Sequence, residues 1–411
     1  MPRAQHEASI ANCLERPIAF FVHQREPGPN DRPISENLTS ANGCQGKVMR
    51  VGVIYLGRRG PGGPISFELA SRLSRMVPTF AVVSADAEHL GLWRQSGIEL
   101  IEVPTFRSDS EALLSVLWKK RLRTLAHTIL ERKPDAVIYP MVHPWTPSLQ
   151  RYLRPIPDVV TVHDVVAHPG FKHFVSSLYE RIAARRASRC VVLSARFIEL
   201  LQRKGVGADR IDVIPHGIFT FYRRAAPPAT RPDSTASVLF FGRITAYKGL
   251  DVLLRAFKSV SSRRPDVRLD IVGFGDLSPY AGLLNEIEKV NIVNRWVGDD
   301  EVAGFFENAS CVVLPYTTAS QSGVVPLAAS FGTPVIATNV GALPDQIQNG
   351  ESGLLVNPDS VEELVSAIDT VLTQPSLARS MGKKLAEQTS ESGNWDSIAA
   401  AFLESCRKAL G

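Results

Sequence analysis

The stretch that decides the fold is Val238-Leu239-Phe240-Phe241-Gly242-Arg243-Ile244-Thr245-Ala246-Tyr247-Lys248-Gly249-Leu250. Four consecutive apolar residues predict a strand buried on both faces, as in a parallel sheet, and Gly242 ends it. Leu250, Leu253, Leu254 and Phe257 recur at helical spacing, so an amphipathic helix follows. Arg243 and Lys248 therefore occupy a strand-to-helix loop at the carboxyl end of a parallel strand, where open α/β sheets bind ligands. A planar guanidinium beside a flexible ammonium suits a diphosphate, each charge-assisted hydrogen bond contributing roughly 1.5–3 kcal/mol. Two solvated cations on a loop are the plain alternative.

Further along, Cys311-Val312-Val313-Leu314-Pro315-Tyr316 reads as another buried strand, and Ser320-Gln321-Ser322-Gly323 then opens a helical run to Gly332. Small and hydroxyl residues at a helix start leave backbone N–H groups to meet an anion. Thr333-Pro334-Val335-Ile336-Ala337-Thr338 is the next strand, and Asn349-Gly350-Glu351-Ser352-Gly353-Leu354-Leu355-Val356 leads into the one after. Together with Asp270-Ile271-Val272-Gly273-Phe274-Gly275, these segments follow one another in the order and spacing of the donor domain of glycosyltransferase family 4, which the chain resembles from Met49 onward.

That resemblance implies a GT-B fold, α/β with two Rossmann-like doubly wound domains facing a central cleft. It also implies a glycosyltransferase that draws on a nucleotide-diphosphate sugar as donor substrate, with no separate cofactor and no metal. The acceptor it implies is a carbohydrate or lipid-linked glycan, as in polysaccharide or glycoconjugate biosynthesis, with retention of anomeric configuration. By the same resemblance Arg243, Lys248, Ser322 and Gly323 bind the donor diphosphate, and Gly62 and Gly63 join them from the first domain. One departure is plain: most members carry two glutamates at the positions held here by Ala319 and Leu327. Their contacts to the donor pass to Ser320, Gln321 and Ser322 in this reading.

A chain of 411 residues is too long for one core and suits two domains of roughly 170–200 residues. The boundaries expected are a disordered extension over 1–48, an acceptor-side domain over 49–222, a linker over 223–237, a donor domain over 238–392 and a bracing helix over 393–411. Met49 immediately precedes the first strand, Arg50 to Leu56, and is the expected translation start, which N-terminal sequencing of native protein would test. A hydrophobic content of 44%, a charged content of 21% and a net charge of +5 are ordinary for a globular protein and do not imply nucleic acid. Five scattered cysteines without C-x-x-C spacing suggest neither a disulfide framework nor a zinc site. No run approaches the roughly 18–20 apolar residues of a membrane span. A cytoplasmic location is therefore expected, at the inner face of the membrane if the basic helical runs near Leu113 to Leu130 and Arg181 to Arg210 dock on anionic lipid. A solvated helix face is the commoner meaning of such runs.

Strands over Phe80 to Ser84, Ile98 to Val103, Ala136 to Tyr139, Val159 to Val162, Cys190 to Leu193 and Ile211 to Ile214 alternate with helical runs, the rhythm of a doubly wound sheet. Gly57-Arg58-Arg59-Gly60-Pro61-Gly62-Gly63 follows the first strand but fails the dinucleotide pattern. His163 and Asp164 end the Val159 to Val162 strand, and are the candidate proton-transfer and sugar-binding pair. His143, with Trp145 as a stacking platform, is a candidate for the acceptor side. Pro215-His216-Gly217 resembles the family's turn before the linker. A nucleotide-sugar epimerase of the same fold, or a degenerate partner subunit, are the competing functions. The first needs acids clustered in the cleft; the second is argued by the missing glutamates and opposed by Arg243 and Lys248.

Overall fold

The computed structural model describes residues 21–23, 48–106, 111, 115, 118–163, 165, 171–219, 221–222 and 236–411. The strands are β1 (Phe21–His23), β2 (Val51–Tyr55), β3 (Thr79–Ser84), β4 (Glu99–Val103), β5 (Ala136–Tyr139), β6 (Asp158–Val162), β7 (Arg189–Val192) and β8 (Ile211–Val213) in a first sheet. A second holds β9 (Ser237–Phe241), β10 (Arg268–Gly273), β11 (Val290–Asn294), β12 (Cys311–Leu314), β13 (Val335–Thr338) and β14 (Gly353–Val356). The first runs β1-β4-β3-β2-β5-β6-β7-β8 and the second β11-β10-β9-β12-β13-β14. Every pairing is parallel except β1 with β4.

The central strands are buried end to end, as continuous apolar runs require when helices cover both faces. Within the first unit, one face of the sheet packs around Phe80, Ile101, Val137, Tyr139 and Trp145, and the other around Val53, Leu69, Ile138 and Phe402. The second unit buries Phe240, Leu253, Phe257 and Ile336 on one side and Leu239, Phe306, Leu314 and Leu327 on the other.

Two findings differ from the sequence expectations. Within the segment read as disordered, Phe21–His23 adds an antiparallel edge strand, pairing Val22 with Ile101. Phe21 and Val22 are apolar, and the free edge of β4 supplies unmet backbone groups that an extended segment satisfies. A further helix, Pro375–Ser392, also went unread.

The last helix, Trp395–Leu410, starts on an Asn394 side-chain cap that accepts from the Asp396 and Ser397 N–H groups. It returns to the first sheet, burying Ile398, Phe402 and Leu403, and packs on the helix Gly62–Met76. Its first residue is pinned to the crossover: Trp395 Nε1 donates to the Ile218 carbonyl at 2.8 Å. A Cβ on Gly217 would lie 2.4 Å from that indole, so only glycine fits beneath it. Most of the 223–237 linker lies outside the described residues.

Candidate active site

In each sheet the strand order reverses once, between β2 and β5 and between β9 and β12. Loops leaving the carboxyl ends of such a pair diverge to opposite faces and open a crevice. Arg243 and Lys248 leave β9, and Ser320 to Gly323 follow β12, so the two motifs the sequence singled out share the crevice of the second sheet.

The Arg243 to Lys248 loop is held by its backbone. Gly242 N–H donates to Val272 O at 2.9 Å, Ile244 N–H to Phe274 O at 2.9 Å, and Thr317 N–H to Tyr247 O at 2.8 Å. Gly249 adopts a left-handed φ of 66°, and a Cβ there would lie 1.8 Å from the Pro315 carbonyl oxygen. Glycine thus lets this loop close against the end of β12. Lys248 Nζ donates to Tyr316 Oη at 2.7 Å and stands 4.3 Å from the centre of the same ring. Tyr316 Oη also lies 3.2 Å from Ser322 Oγ. Arg243 is exposed, and neither cation has a carboxylate partner among the described residues. A solvated surface cation also lacks such a partner; what sets these two apart is their fixed place in the crevice.

The Ser-Gly turn differs from expectation in detail. Ser320 is buried and its carbonyl accepts from Ala342 N–H. The Ser322 N–H, expected to meet phosphate, donates instead to Gln346 Oε1 at 3.1 Å, while Gln346 Nε2 donates back to Ser322 O at 3.1 Å. That clamp comes from a helix after β13, and no local pattern announced it. Gly323 is the N-cap of the helix Val324–Phe331, and its N–H has no partner among the described residues. Gln321 keeps a buried Oε1 without a hydrogen-bond partner among the described residues. Ala319 and Leu327 belong to the apolar cluster of the second sheet, so the positions at which the resemblance implies glutamates are packed here, not solvated.

On the first-sheet side, His163 is half-buried and its Nε2–H donates to the Pro140 carbonyl at 2.8 Å, which fixes its tautomer and orientation. Asp164 lies outside the described residues. His216, read from sequence only as part of a turn, stands opposite: a Cβ on Gly323 would lie 3.8 Å from its Nε2. Burial, with His163 adding, pushes His216 down to about 4 against the weaker opposing pull of the Gly217 carbonyl. His216 thus faces the Ser-Gly turn across the interface, with His163 close enough to act on it electrostatically, and His216 had no sequence signal beyond its place before the linker.

Trp145 is not a stacking platform. It is fully buried in the core of the first sheet, where its Nε1 donates to Ser115 Oγ at 2.8 Å. A large aromatic beside a strand end is as useful to a core as to a ligand. His143 is buried beside it, with Nδ1 accepting the Trp145 N–H at 3.2 Å and the ring stacked on Phe106. Burial, with the Arg58 cation adding, pushes His143 down to about 3, so it stays neutral, and its Nε2 has no partner among the described residues. Gly62 and Gly63 are also buried: missing Cβ positions there are filled by Met141 and Tyr55, and by His89. Packing accounts for both glycines. The cations of the same loop, Arg58 and Arg59, were the better signal, since neither has a side-chain partner among the described residues.

Among the described residues, polar contacts bridge the units across the cleft at three places. Trp296 Nε1 donates to Glu88 Oε1 at 2.7 Å, His89 Nδ1 lies 2.9 Å from Asp299 Oδ2, and Asp345 accepts from both Ser194 Oγ and Arg196 Nε at 2.6 Å. Behind the last, Ser194, Arg196, His216, Gln321, Gln346 and Gln388 line a cavity of about 520 Å³. Among the described residues no cluster of three metal-ligating side chains occurs, and no helix is long and apolar enough to cross a membrane.

Comparison with known proteins agrees with this geometry. Residues 235–374 match the family model described as glycosyl transferases group 1, and residues 54–220 the model described as glycosyltransferase family 4. The D-inositol 3-phosphate glycosyltransferase of Paenarthrobacter aurescens is 33% identical over 281 residues, covering 62% of this chain and 68% of that protein. Its counterpart in Pseudarthrobacter chlorophenolicus is 33% identical over 230 residues, covering 53% and 54%, so the chain spans only about half of that relative. The solved HepE protein of Anabaena, in complex with UDP and glucose, superposes with a TM-score of 0.68 at 17% identity, covering 87% of this chain and 98% of that one. Sucrose-phosphate synthase of Thermosynechococcus elongatus gives 0.68 at 19% identity with the same coverage. A UDP-N-acetylglucosamine 2-epimerase of Listeria monocytogenes gives 0.56 at 14%, covering 82% and 91%.

Proposed function

Since the chain belongs to glycosyltransferase family 4 and is a glycosyltransferase of GT-B architecture, we propose that it transfers a sugar from a UDP-sugar to a hydroxylated acceptor, a carbohydrate or lipid-linked glycan. The observation that carries this is the placement of Arg243 and Lys248, without carboxylate partners, at the switch point of the second sheet. In this reading Arg243 and Lys248 hold the diphosphate and neutralise the charge that grows on it as the sugar leaves, while the Gly323 N–H at a helix start adds a third donor. Gln321 Oε1, an acceptor with no protein partner, takes a hydroxyl of the donor sugar. The uracil rests near Trp296 to Gly298, beside the exposed Phe274 ring.

On the acceptor side, His163 binds or orients the attacking hydroxyl, and Arg58 and Arg59 favour an acceptor that carries negative charge. The names of the curated relatives, which specify D-inositol 3-phosphate, are of that chemistry. The epimerase reading is weaker, because the cross-cleft carboxylates Glu88, Asp299 and Asp345 are already engaged by Trp296, His89 and Arg196. Membrane docking loses part of its charge too: Arg121 folds back onto Trp118 and the Pro104 carbonyl, leaving Lys119 and Lys120 outward on the helix Lys119–Leu130.

The test is a thermal-shift screen of UDP, GDP and CDP sugars, followed by product analysis with the stabilising donor. A ligand at a hundred times its Kd raises stability by about 2.7 kcal/mol. Stabilisation by UDP-sugars with transfer to a hydroxylated acceptor is expected; stabilisation by none of the three would overturn the donor assignment.

A further inference from the structure

A second cavity, of about 480 Å³, opens between β5, β6 and the helices Thr146–Tyr152 and Phe171–Arg186. Its lining includes Val137, Asp158 and Ser188, which lie at the amino ends of β5, β6 and β7. The crevice described above is built at carboxyl ends, so the two sites lie at opposite edges of the fold. The volume is that of a small-molecule site.

Its polar lining is incomplete without a ligand. Tyr139 is 1% exposed, and its hydroxyl has no hydrogen-bond partner among the described residues. Gln150 is 8% exposed, and its Nε2 donates to Asp158 Oδ2 at 2.8 Å and to Ala183 O at 3.0 Å. That pair fixes the amide so that Oε1 is left as a buried acceptor without a partner among the described residues. Asp158 contributes a carboxylate, but Gln150 occupies Oδ2 while the Ser188 N–H and hydroxyl occupy Oδ1. Three arginines surround it. Arg186 donates one Nη to the Pro147 carbonyl, and Arg151 and Arg154 have no partner among the described residues. Cations outnumber the one carboxylate, and the unmet groups call for both acceptors and donors.

We propose that this cavity is a second binding site, for a small hydroxylated anion of the polyol-monophosphate class, with phosphate on Arg151 and Arg154 and hydroxyls on Gln150 Oε1 and the Tyr139 hydroxyl. It is independent of the donor and acceptor assignments, and its place toward the amino ends of β5, β6 and β7, where the crevice lies at carboxyl ends, makes it an effector site. The phosphate can come from a free sugar phosphate or from a lipid headgroup, and two arms separate them.

The probes are glucose 6-phosphate in calorimetry and phosphatidylinositol vesicles in sedimentation, with UDP as control ligand. Glucose 6-phosphate should bind the wild type with one site, and UDP at saturation should not displace it. The Arg151→Ala/Arg154→Ala double variant, altered only at exposed positions, should lose at least tenfold in affinity while its response to UDP is kept. Tyr139→Phe should fold at least as well as the wild type and bind about fivefold more weakly, one hydrogen bond being at stake. Vesicle binding lost in the double variant, with weak glucose 6-phosphate binding, would assign the site to the headgroup. Binding of neither probe, binding displaced by UDP, or binding indifferent to both variants would each overturn the proposal.

Discussion

Lys248 Nζ donates a 2.7 Å hydrogen bond to Tyr316 Oη while standing 4.3 Å from the centre of that ring, so one buried tyrosine from β12's exit holds the ammonium leaving β9. The bond joins the two loops of the switch point. A flexible four-carbon chain is thereby held in one position before a ligand arrives, which lowers the cost of ordering it on binding.

Arg243→Ala and Lys248→Ala should each lower kcat by about 10²–10³, as expected when charge on a leaving diphosphate loses a fixed cation. Both proteins should unfold at close to the wild-type temperature. Tyr316→Phe, which removes the hydroxyl that Lys248 and Ser322 share, should mainly raise the donor KM. Steady-state kinetics on the three variants checks this, and full turnover in either cation variant would remove Arg243 and Lys248 from the donor site.

The packed turn gives a prediction of opposite sign from a glutamate restoration. Leu327 is 6% exposed within an apolar cluster, so Leu327→Glu buries an unpaired carboxylate and should destabilise by about 2–5 kcal/mol. Gln321→Ala removes a buried unpartnered acceptor, so it should leave Tm unchanged or higher while weakening use of the donor. Urea unfolding and donor titration separate the two effects. Transferase activity gained by Ala319→Glu with Leu327→Glu, over an inactive parent, would instead favour the degenerate-subunit reading.

Acid should act on the fold through the buried histidines. His143 is pushed down to about 3 and His216 to about 4, whereas an unfolded histidine titrates near 6.5. Below that value the unfolded chain binds protons the native chain refuses, so their contribution is complete above pH about 6.5 and declines as pH falls toward the folded values. His143→Asn, whose Oδ1 can replace Nδ1 as acceptor of the Trp145 N–H, should flatten the loss between about pH 6.5 and 4. Unfolding midpoints across that range measure it; identical slopes in variant and wild type would show His143 to be protonated in the native state.

Trp145→Ala should cost about 3–5 kcal/mol in stability, the range for a large aromatic removed from a core. Trp145→Phe should keep the donor and acceptor KM. A change confined to acceptor KM, with stability intact, would return Trp145 to the acceptor site.

Cross-cleft contacts predict that Asp345→Ala opens the molecule. It removes the acceptor shared by Ser194 and Arg196. Small-angle scattering should show a larger radius of gyration for the variant without ligand, and saturating UDP should compact it toward the wild-type value. Equal radii with and without the carboxylate would show that the exposed Arg196 pair contributes nothing to closure, the usual outcome for a solvated ion pair.

The sequence by itself determined the architecture and half of the site. Runs such as Val238 to Phe241 and Val312 to Leu314 can be buried only between helical layers, and the cations that follow must then lie at strand ends, because chain order alone puts them there. What only the tertiary structure decided were relations between segments distant in sequence. Gln346 reaches back 24 residues to take the Ser322 N–H, Trp145 finds its partner in Ser115, and His216 meets the Ser-Gly turn of the other unit. A residue's type states what bonds it can make. Which of them it makes depends on what the folded chain brings within about 3 Å of it, and hydrogen bonds fade beyond that reach.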